Sequence, residues 1–164
     1  MRLQTAIARI RKYKPTTPDE FRAAGVPLGG MLGCGAFREV LEVRDCPLVV
    51  KFPLNEGEPD DDTHKENFHE GIMHSALEMK KLKRLNSFVW IRRFLPKVYY
   101  YDRKHGIIVM RYYKLMTKHE FLFDTKFVYT LIKRSTGVSI SDYTWGNVGK
   151  MGRNDTPVLI DCGY

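Results

Sequence analysis

Residues 141–149 are Ser-Asp-Tyr-Thr-Trp-Gly-Asn-Val-Gly, and residues 158–163 are Val-Leu-Ile-Asp-Cys-Gly. This stretch groups Asp142, Asn147 five positions later, and Asp161 at the end of an apolar run. Carboxylate and amide oxygens are hard ligands of the kind that Mg²⁺ takes beside nucleotide phosphates. A carboxylate that holds no metal can orient a hydroxyl group or accept its proton. The pattern predicts a magnesium and phosphate site, although the spacing D-x-x-x-x-N alone is common by chance.

The composition indicates a folded globular protein. The chain has 164 residues, of which 43% are hydrophobic and 28% charged, so wholesale disorder is excluded. The apolar runs are too short to span a bilayer, and the first residues lack the apolar core of a signal peptide. We therefore expect a cytoplasmic protein with no membrane partner. Three widely spaced cysteines fit neither a disulfide framework nor a zinc motif.

The charge balance is basic, with 27 Lys and Arg against 19 Asp and Glu and a formal net charge of +8. The basic residues are scattered in short runs, which solvated helix faces explain better than a nucleic-acid site does. A nucleic-acid partner is therefore not expected, whereas attraction to anionic ligands such as nucleotides follows from the same charge.

The first half of the chain predicts an N-terminal helical arm followed by strands. Apolar spacing predicts a helix over residues 2–13, and Thr17 is the expected cap of a second short helix ending near Gly25. Strands follow from residue 28 to residue 52, with a turn at 45–47. Glycines in this segment let backbone amides approach phosphate oxygens, although glycines that merely form turns are commoner.

The second half predicts a long helix from Thr63 to about Leu85, a hairpin over residues 98–112, a helix over 117–136, and two short strands near 147–150 and 157–161. His64, His69 and His74 are spaced by five residues, which turns successive side chains by about 140° around a helix. The three histidines cannot converge on one metal, so we expect them to face solvent.

Four segments together resemble the protein kinase-like superfamily. Leu32-Gly-Cys-Gly-Ala-Phe-Arg-Glu-Val40 is similar to the glycine-rich loop L-G-x-G-x-F-G-x-V, and Leu48-Val-Val-Lys51 to the strand V-A-I-K. Residues 142–147 are similar to the catalytic loop D-x-x-x-x-N, and residues 161–163 to D-F-G. Each match is weak or moderate alone, but the four occur in the family's order and at similar separations.

The resemblance implies an α+β protein kinase-like fold: an antiparallel N-lobe sheet, a long αC-type helix and a reduced, mostly helical C-lobe. Residues 1–27 would form the N-terminal arm, 28–113 the N-lobe-like part, and 114–164 the truncated C-lobe. The chain ends one residue after Gly163, so the helices that hold a peptide substrate in the family would be missing. A partner protein or a second copy is expected to cover that face.

The resemblance also implies ATP and Mg²⁺ as cofactors and a role for each matched residue. Lys51 would hold the α and β phosphates, Asp142 would orient the acceptor hydroxyl, and Asn147 and Asp161 would bind the metal. A glutamate of the long helix would orient Lys51; Glu70 is expected there, with Glu66 as its competitor. Nucleotide binding would further involve Gly33, Gly35 and Val40 of the loop and, at the hinge, Met110 and Tyr112.

The implied function is an ATP- and Mg²⁺-dependent phosphotransferase of minimal bacterial or phage type, acting on a protein Ser or Thr hydroxyl or on itself. The alternative is a pseudokinase-like module that binds nucleotide or regulates a partner protein. Arg38 replaces the third glycine of the loop, Thr144 the catalytic-loop lysine, and Cys162 the phenylalanine of D-F-G.

Overall fold

The computed structural model describes residues 1–54, 62–124, 126–138, 145–152 and 156–161. The chain divides into two compact units. The first consists of Met1–Ala76 and Lys97–Tyr112, and the second of Leu77–Pro96 and Tyr113–Tyr164. The long helix α3 (Asp62–Asn86) contributes to both units.

The first unit is built on a five-stranded antiparallel sheet. Its strands are β1 (Leu28–Cys34), β2 (Arg38–Val43), β3 (Leu48–Pro53), β4 (Val98–Asp102) and β5 (Ile107–Arg111). Their order in the sheet is β1-β2-β3-β5-β4. The two hairpins predicted from the sequence are both present. The long helix α3 lies between β3 and β4 in the chain, so the first unit has an α+β arrangement of an antiparallel sheet and a helix.

The N-terminal arm covers one face of this sheet. Helix α1 (Leu3–Tyr13) and helix α2 (Pro18–Ala23) contribute fully buried residues to the core of the unit. Thr17 caps α2, because its hydroxyl oxygen accepts a hydrogen bond from the Glu20 backbone N–H at 3.2 Å. The arm is therefore part of the hydrophobic core, which comprises Ala6, Ile7, Ile10, Phe21, Val26, Leu28, Val43, Leu48, Val50, Phe52, Ile107 and Val109.

The second unit contains helices α4 (Lys118–Asp124) and α5 (Lys126–Thr136), and strands β6 (Lys114–Leu115), β7 (Val148–Met151) and β8 (Thr156–Leu159). The strands form an antiparallel sheet in the order β6-β7-β8. The helix expected over residues 117–136 falls on α4 and α5, and residue 125 between them lies outside the described residues. Gly137, at φ 64°, ends α5 as expected.

The helices in the described ranges include none that is both long enough and apolar enough to cross a membrane.

Candidate functional site

The predicted glycine-rich loop is the tip of the β1–β2 hairpin. Gly33 pairs with Val40 and Cys34 with Glu39, and the Gly35 backbone N–H donates to the Arg38 carbonyl oxygen at 2.8 Å. The strands continue almost to the tip, so the hairpin holds its glycines in a defined position next to the sheet.

The usual structural reasons for glycine do not apply at Gly33 and Gly35. Neither residue has a positive φ, in contrast to Gly25, Gly106 and Gly137. No protein atom lies within 4 Å of the position that a Cβ on Gly33 would take, and at Gly35 the nearest is a backbone oxygen at 3.8 Å. Packing and backbone conformation within the described residues therefore tolerate a side chain at both positions. Glycine at these two positions also leaves the backbone accessible to the close approach of a ligand.

Lys51 lies in the middle of the sheet and is only 5% exposed. Its direct neighbours across the sheet are Val40 on β2 and Ile108 on β5. Directly paired residues, and residues two apart on one strand, point to the same face of a sheet. Since Val49 pairs with Met110, the register places Val40, Lys51 and Met110 on one face, opposite the core that the N-terminal arm covers.

The predicted hinge lies at the end of β5. Met110 is 1% exposed, whereas Tyr112 is 43% exposed and its backbone N–H donates to the Pro47 carbonyl oxygen at 2.9 Å. The first unit ends at Tyr112 and the second resumes at Tyr113. The hinge expected from the sequence thus coincides with the point where the chain passes from one unit to the other.

Helix α3 packs directly against the glycine-bearing hairpin. A Cβ on Gly71 would lie 2.5 Å from the Phe37 carbonyl oxygen and 2.8 Å from the Pro53 Cβ. One turn later, the His74 ring lies 4.4 Å from the Phe37 ring, centroid to centroid. The expectation of solvent-facing histidines is therefore wrong for His74, which is half-buried, and right for His69, which is exposed. His64 has no described side chain.

The glutamates of α3 differ sharply in burial. Glu70 is exposed, and the Glu66 side chain lies outside the described residues, so the assignment of Glu70 as the group that orients Lys51 stays a prediction. Glu78, which sequence reasoning missed, is only 3% exposed. A carboxylate so deeply buried requires hydrogen-bonding or cationic partners. The sequence indicated this burial only through the position of Glu78 among apolar residues of α3, four residues before the buried Leu82.

The two predicted metal ligands of the second unit are neighbours. Strands β7 and β8 pair with Val148 opposite Leu159, which brings the residues just before β7 close to those just after β8. The Asn147 carbonyl oxygen accepts hydrogen bonds from the Ile160 N–H at 2.9 Å and from the Asp161 N–H at 3.4 Å. Both Asn147 and Asp161 are half-buried. These backbone contacts make Asn147 and Asp161 neighbours, and their side chains carry the amide and carboxylate oxygens that Mg²⁺ takes as ligands.

An ion pair anchors β7 to helix α4. Lys150 of β7 binds Glu120, whose carboxylate also accepts the Thr117 backbone N–H at 2.8 Å. The hydrogen bond from the Lys150 side chain, followed by those from Thr117, lowers the pKa of Glu120 to about 2. The charged form of Glu120 therefore stabilises the strand that directly follows Asn147.

Three of the predicted features lie outside the described residues: the acceptor-orienting Asp142, the lysine-replacing Thr144, and the Cys162-Gly163 pair of the D-x-G motif. Among the residues that are described, no group of three or more His, Cys, Asp and Glu could hold a metal on its own. The remaining predicted residues fall into two sets. The second unit contains Asn147 and Asp161, and the first unit contains Gly33, Gly35, Val40, Lys51, Glu70, Met110 and Tyr112.

Comparison with solved structures identifies the fold. The chain is similar to the structure described as the apo form of PpkA-294, with a TM-score of 0.54 and 14% sequence identity. The match covers 82% of this chain and 57% of that one, so the chain spans little more than half the length of that structure. The match supports a kinase-like fold. No model of a known protein family matches the chain, and no curated protein sequence matches it.

Proposed function

We propose that this protein binds ATP with Mg²⁺ and transfers the γ-phosphoryl group to a hydroxyl group of a protein, its own chain included. The observation that supports this most strongly is the hairpin tip. Gly33 and Gly35 are needed neither for packing nor for a left-handed backbone, and the sheet that bears them also holds the buried Lys51.

In this proposal the first unit binds the nucleotide. The backbone N–H groups of the hairpin tip donate to phosphate oxygens, and the Lys51 ammonium group offsets the charge of the α and β phosphates. Val40 and Met110, on the same sheet face as Lys51, supply apolar contacts for the adenine ring. Backbone groups between Met110 and Tyr112 form its hydrogen bonds.

Asn147 and Asp161 of the second unit would hold the Mg²⁺ that accompanies ATP. The ion would supply positive charge that offsets the charge of the transferred phosphoryl group. Asp142 orients the acceptor hydroxyl and accepts its proton as that oxygen bonds to the γ-phosphorus and the bond to the β-phosphate oxygen breaks, releasing ADP. The chain's own contribution to the rate is thus positioning and charge complementarity.

The first experiment uses Cys34 as a reporter of nucleotide binding. Cys34 is exposed between the two glycines, and Cys46 lies at the other end of β2, about 20 Å away along the strand. Burial raises the pKa of the Cys46 thiol, so it serves as a slowly reacting internal control. ATP with Mg²⁺ should slow alkylation of Cys34, followed by mass spectrometry, and leave the rate at Cys46 unchanged. Equal rates at Cys34 with and without nucleotide would contradict the proposed site.

The second experiment measures phosphate transfer from labelled ATP. Lys51→Ala and Asp161→Ala should each lower transfer by about 100-fold or more, the usual effect of losing one charge-stabilising group. Lys104→Ala, an exposed lysine of the first unit, is the matched control and should transfer normally. Protection of Cys34 without any transfer by the wild-type protein would favour the alternative, a nucleotide-binding module that regulates a partner.

A further inference from the structure

The net positive charge of the protein lies almost entirely in one of its two units. The first unit has fourteen Lys and Arg against thirteen Asp and Glu, a formal net charge of +1. The second has thirteen against six, a formal net charge of +7. Charge that looks scattered along the sequence is therefore strongly asymmetric in the folded chain, and an anionic partner would be drawn to the second unit.

Within the second unit, two apolar side chains project from a turn among these cations. Val89 is 72% exposed and Trp90 is 43% exposed. We call these two residues the apolar tip. Two hydrogen bonds close the turn: the Phe88 N–H donates to the Leu85 carbonyl oxygen at 3.1 Å, and the Ile91 N–H donates to that of Phe88 at 3.0 Å. Leu85 and Ile91, on either side, are fully buried.

Exposed cations flank the apolar tip along the chain. Between residues 79 and 97 the sequence contains seven Lys and Arg and no Asp or Glu. The Arg92 Nε donates to the Asn86 carbonyl oxygen at 2.7 Å, and an Arg84 terminal nitrogen donates to the Thr136 carbonyl oxygen at 3.1 Å, which brings the end of α5 next to the end of α3. We define the basic collar as the exposed residues Lys80, Lys83, Arg84, Arg92, Arg93 and Arg134.

Ordinary structural reasons explain only part of this surface. Cations in the last turns of α3 and α5 offset the helix dipoles. Arg92 acts on the same end of α3 through its hydrogen bond to the Asn86 carbonyl oxygen, and Arg93 lies over the Phe94 ring. These contacts leave the exposure of Val89 and Trp90 unexplained.

We propose that the apolar tip and the basic collar form a docking surface for an anionic lipid bilayer. Trp is favoured at the level of lipid headgroups, and each exposed Lys or Arg near an anionic leaflet adds attraction. Val89, the most exposed of the large apolar residues described, has neither charge nor an aromatic ring to offer a nucleic acid, but it gains from an apolar medium. Two apolar residues are also too few for the core of a stable protein interface, where Lys is depleted. The proposal does not depend on the proposed phosphotransferase activity, and it departs from the expectation of no membrane partner.

The test uses Trp90 itself. The chain has two tryptophans, so Trp145→Phe leaves Trp90 as the single tryptophan reporter. Mixing this variant with phosphatidylcholine vesicles that contain phosphatidylserine should shift the Trp90 emission to the blue and sediment the protein with the vesicles. Phosphatidylcholine alone should do neither, and raised salt should release the protein.

Three further variants measure how much the lysines and Val89 contribute to vesicle binding. Lys80→Gln with Lys83→Gln should weaken vesicle binding by roughly 25-fold, since each cation contributes about fivefold. The matched control, Lys12→Gln with Lys104→Gln, removes two exposed lysines of the first unit and should weaken binding by less than about twofold. Val89→Asn should weaken it by about tenfold. All these positions are exposed, so each variant should fold, and circular dichroism of each variant checks this.

Several outcomes would overturn the proposal. These are absence of binding to phosphatidylserine vesicles, equal losses in the two lysine pairs, and an unchanged affinity in Val89→Asn. Binding of a single-stranded oligonucleotide or of an acidic peptide at concentrations where vesicles do not bind would also overturn it, and would assign the surface to that partner instead.

Discussion

The contact between α3 and the glycine-bearing hairpin makes Gly71→Ala an informative substitution. Glycine inside a helix normally costs about 1 kcal/mol relative to alanine, so the substitution alone would be expected to stabilise α3. Here the new methyl carbon would lie 2.5 Å from the Phe37 oxygen and 2.8 Å from the Pro53 Cβ. Optimal contacts between non-bonded carbons are about 3.5–4.0 Å, so the helix or the hairpin must move by roughly 1 Å.

Overpacking of this kind costs about 1–3 kcal/mol, which outweighs the gain in helix propensity. We expect Gly71→Ala to lower the free energy of unfolding by about 1 kcal/mol, a shift in Tm of about 2–4 °C for a chain of this size. Urea unfolding followed by circular dichroism gives the free energy. Displacement of the hairpin should also change the alkylation rate of Cys34, which lies at its tip.

Gly33→Ala is the matched control for this experiment. No protein atom lies within 4 Å of its Cβ position and its φ is not positive, so the free energy of unfolding should be unchanged or rise by up to about 1 kcal/mol. If the proposed function is right, Gly33→Ala nevertheless weakens nucleotide binding. A Gly71→Ala protein at least as stable as the wild type, or a Gly33→Ala protein equally destabilised, would refute the reasoning from contacts.

Two further predictions concern carboxylates. The pKa of Glu120 falls from 4.5 to about 2 on folding through its contacts with Lys150 and Thr117, so its stabilising contribution is complete above about pH 5 and is lost as pH falls toward 2. The difference in stability between wild type and Glu120→Gln, from urea unfolding at several pH values, should therefore shrink on acidification; a difference that grows would contradict this. For the buried Glu78, substitution by Gln should lower the free energy of unfolding by about 2 kcal/mol or more, against less than about 0.5 kcal/mol for the exposed Glu70. If Glu70 orients Lys51, Glu70→Gln lowers phosphate transfer without this loss of stability. Equal losses of stability in Glu78→Gln and Glu70→Gln would contradict the difference in burial between the two residues.

Much of the secondary structure was predictable because it depends on local residue patterns. Runs of β-branched and apolar residues predicted the two hairpins, and Thr17 and Gly137 predicted helix ends that the structure has. The helix predicted over 117–136 corresponds to α4 and α5, which lie on either side of residue 125, a position outside the described residues. Apolar periodicity reports which residues share a face of a helix, so it predicts where a helix lies without any information from distant parts of the chain.

The sequence by itself determined which residue types make up the candidate site, because four short motifs can be recognised from their order and spacing along the chain. It could not decide which residues meet. The sheet register placed Lys51 between Val40 and Ile108, and the pairing of β7 with β8 brought Asn147 next to Asp161. Only packing showed that Gly71 is required by contact while Gly33 is not, that Glu78 is buried, and that the excess charge belongs to one unit. Burial and proximity depend on residues far apart in sequence, and a local pattern contains no record of them.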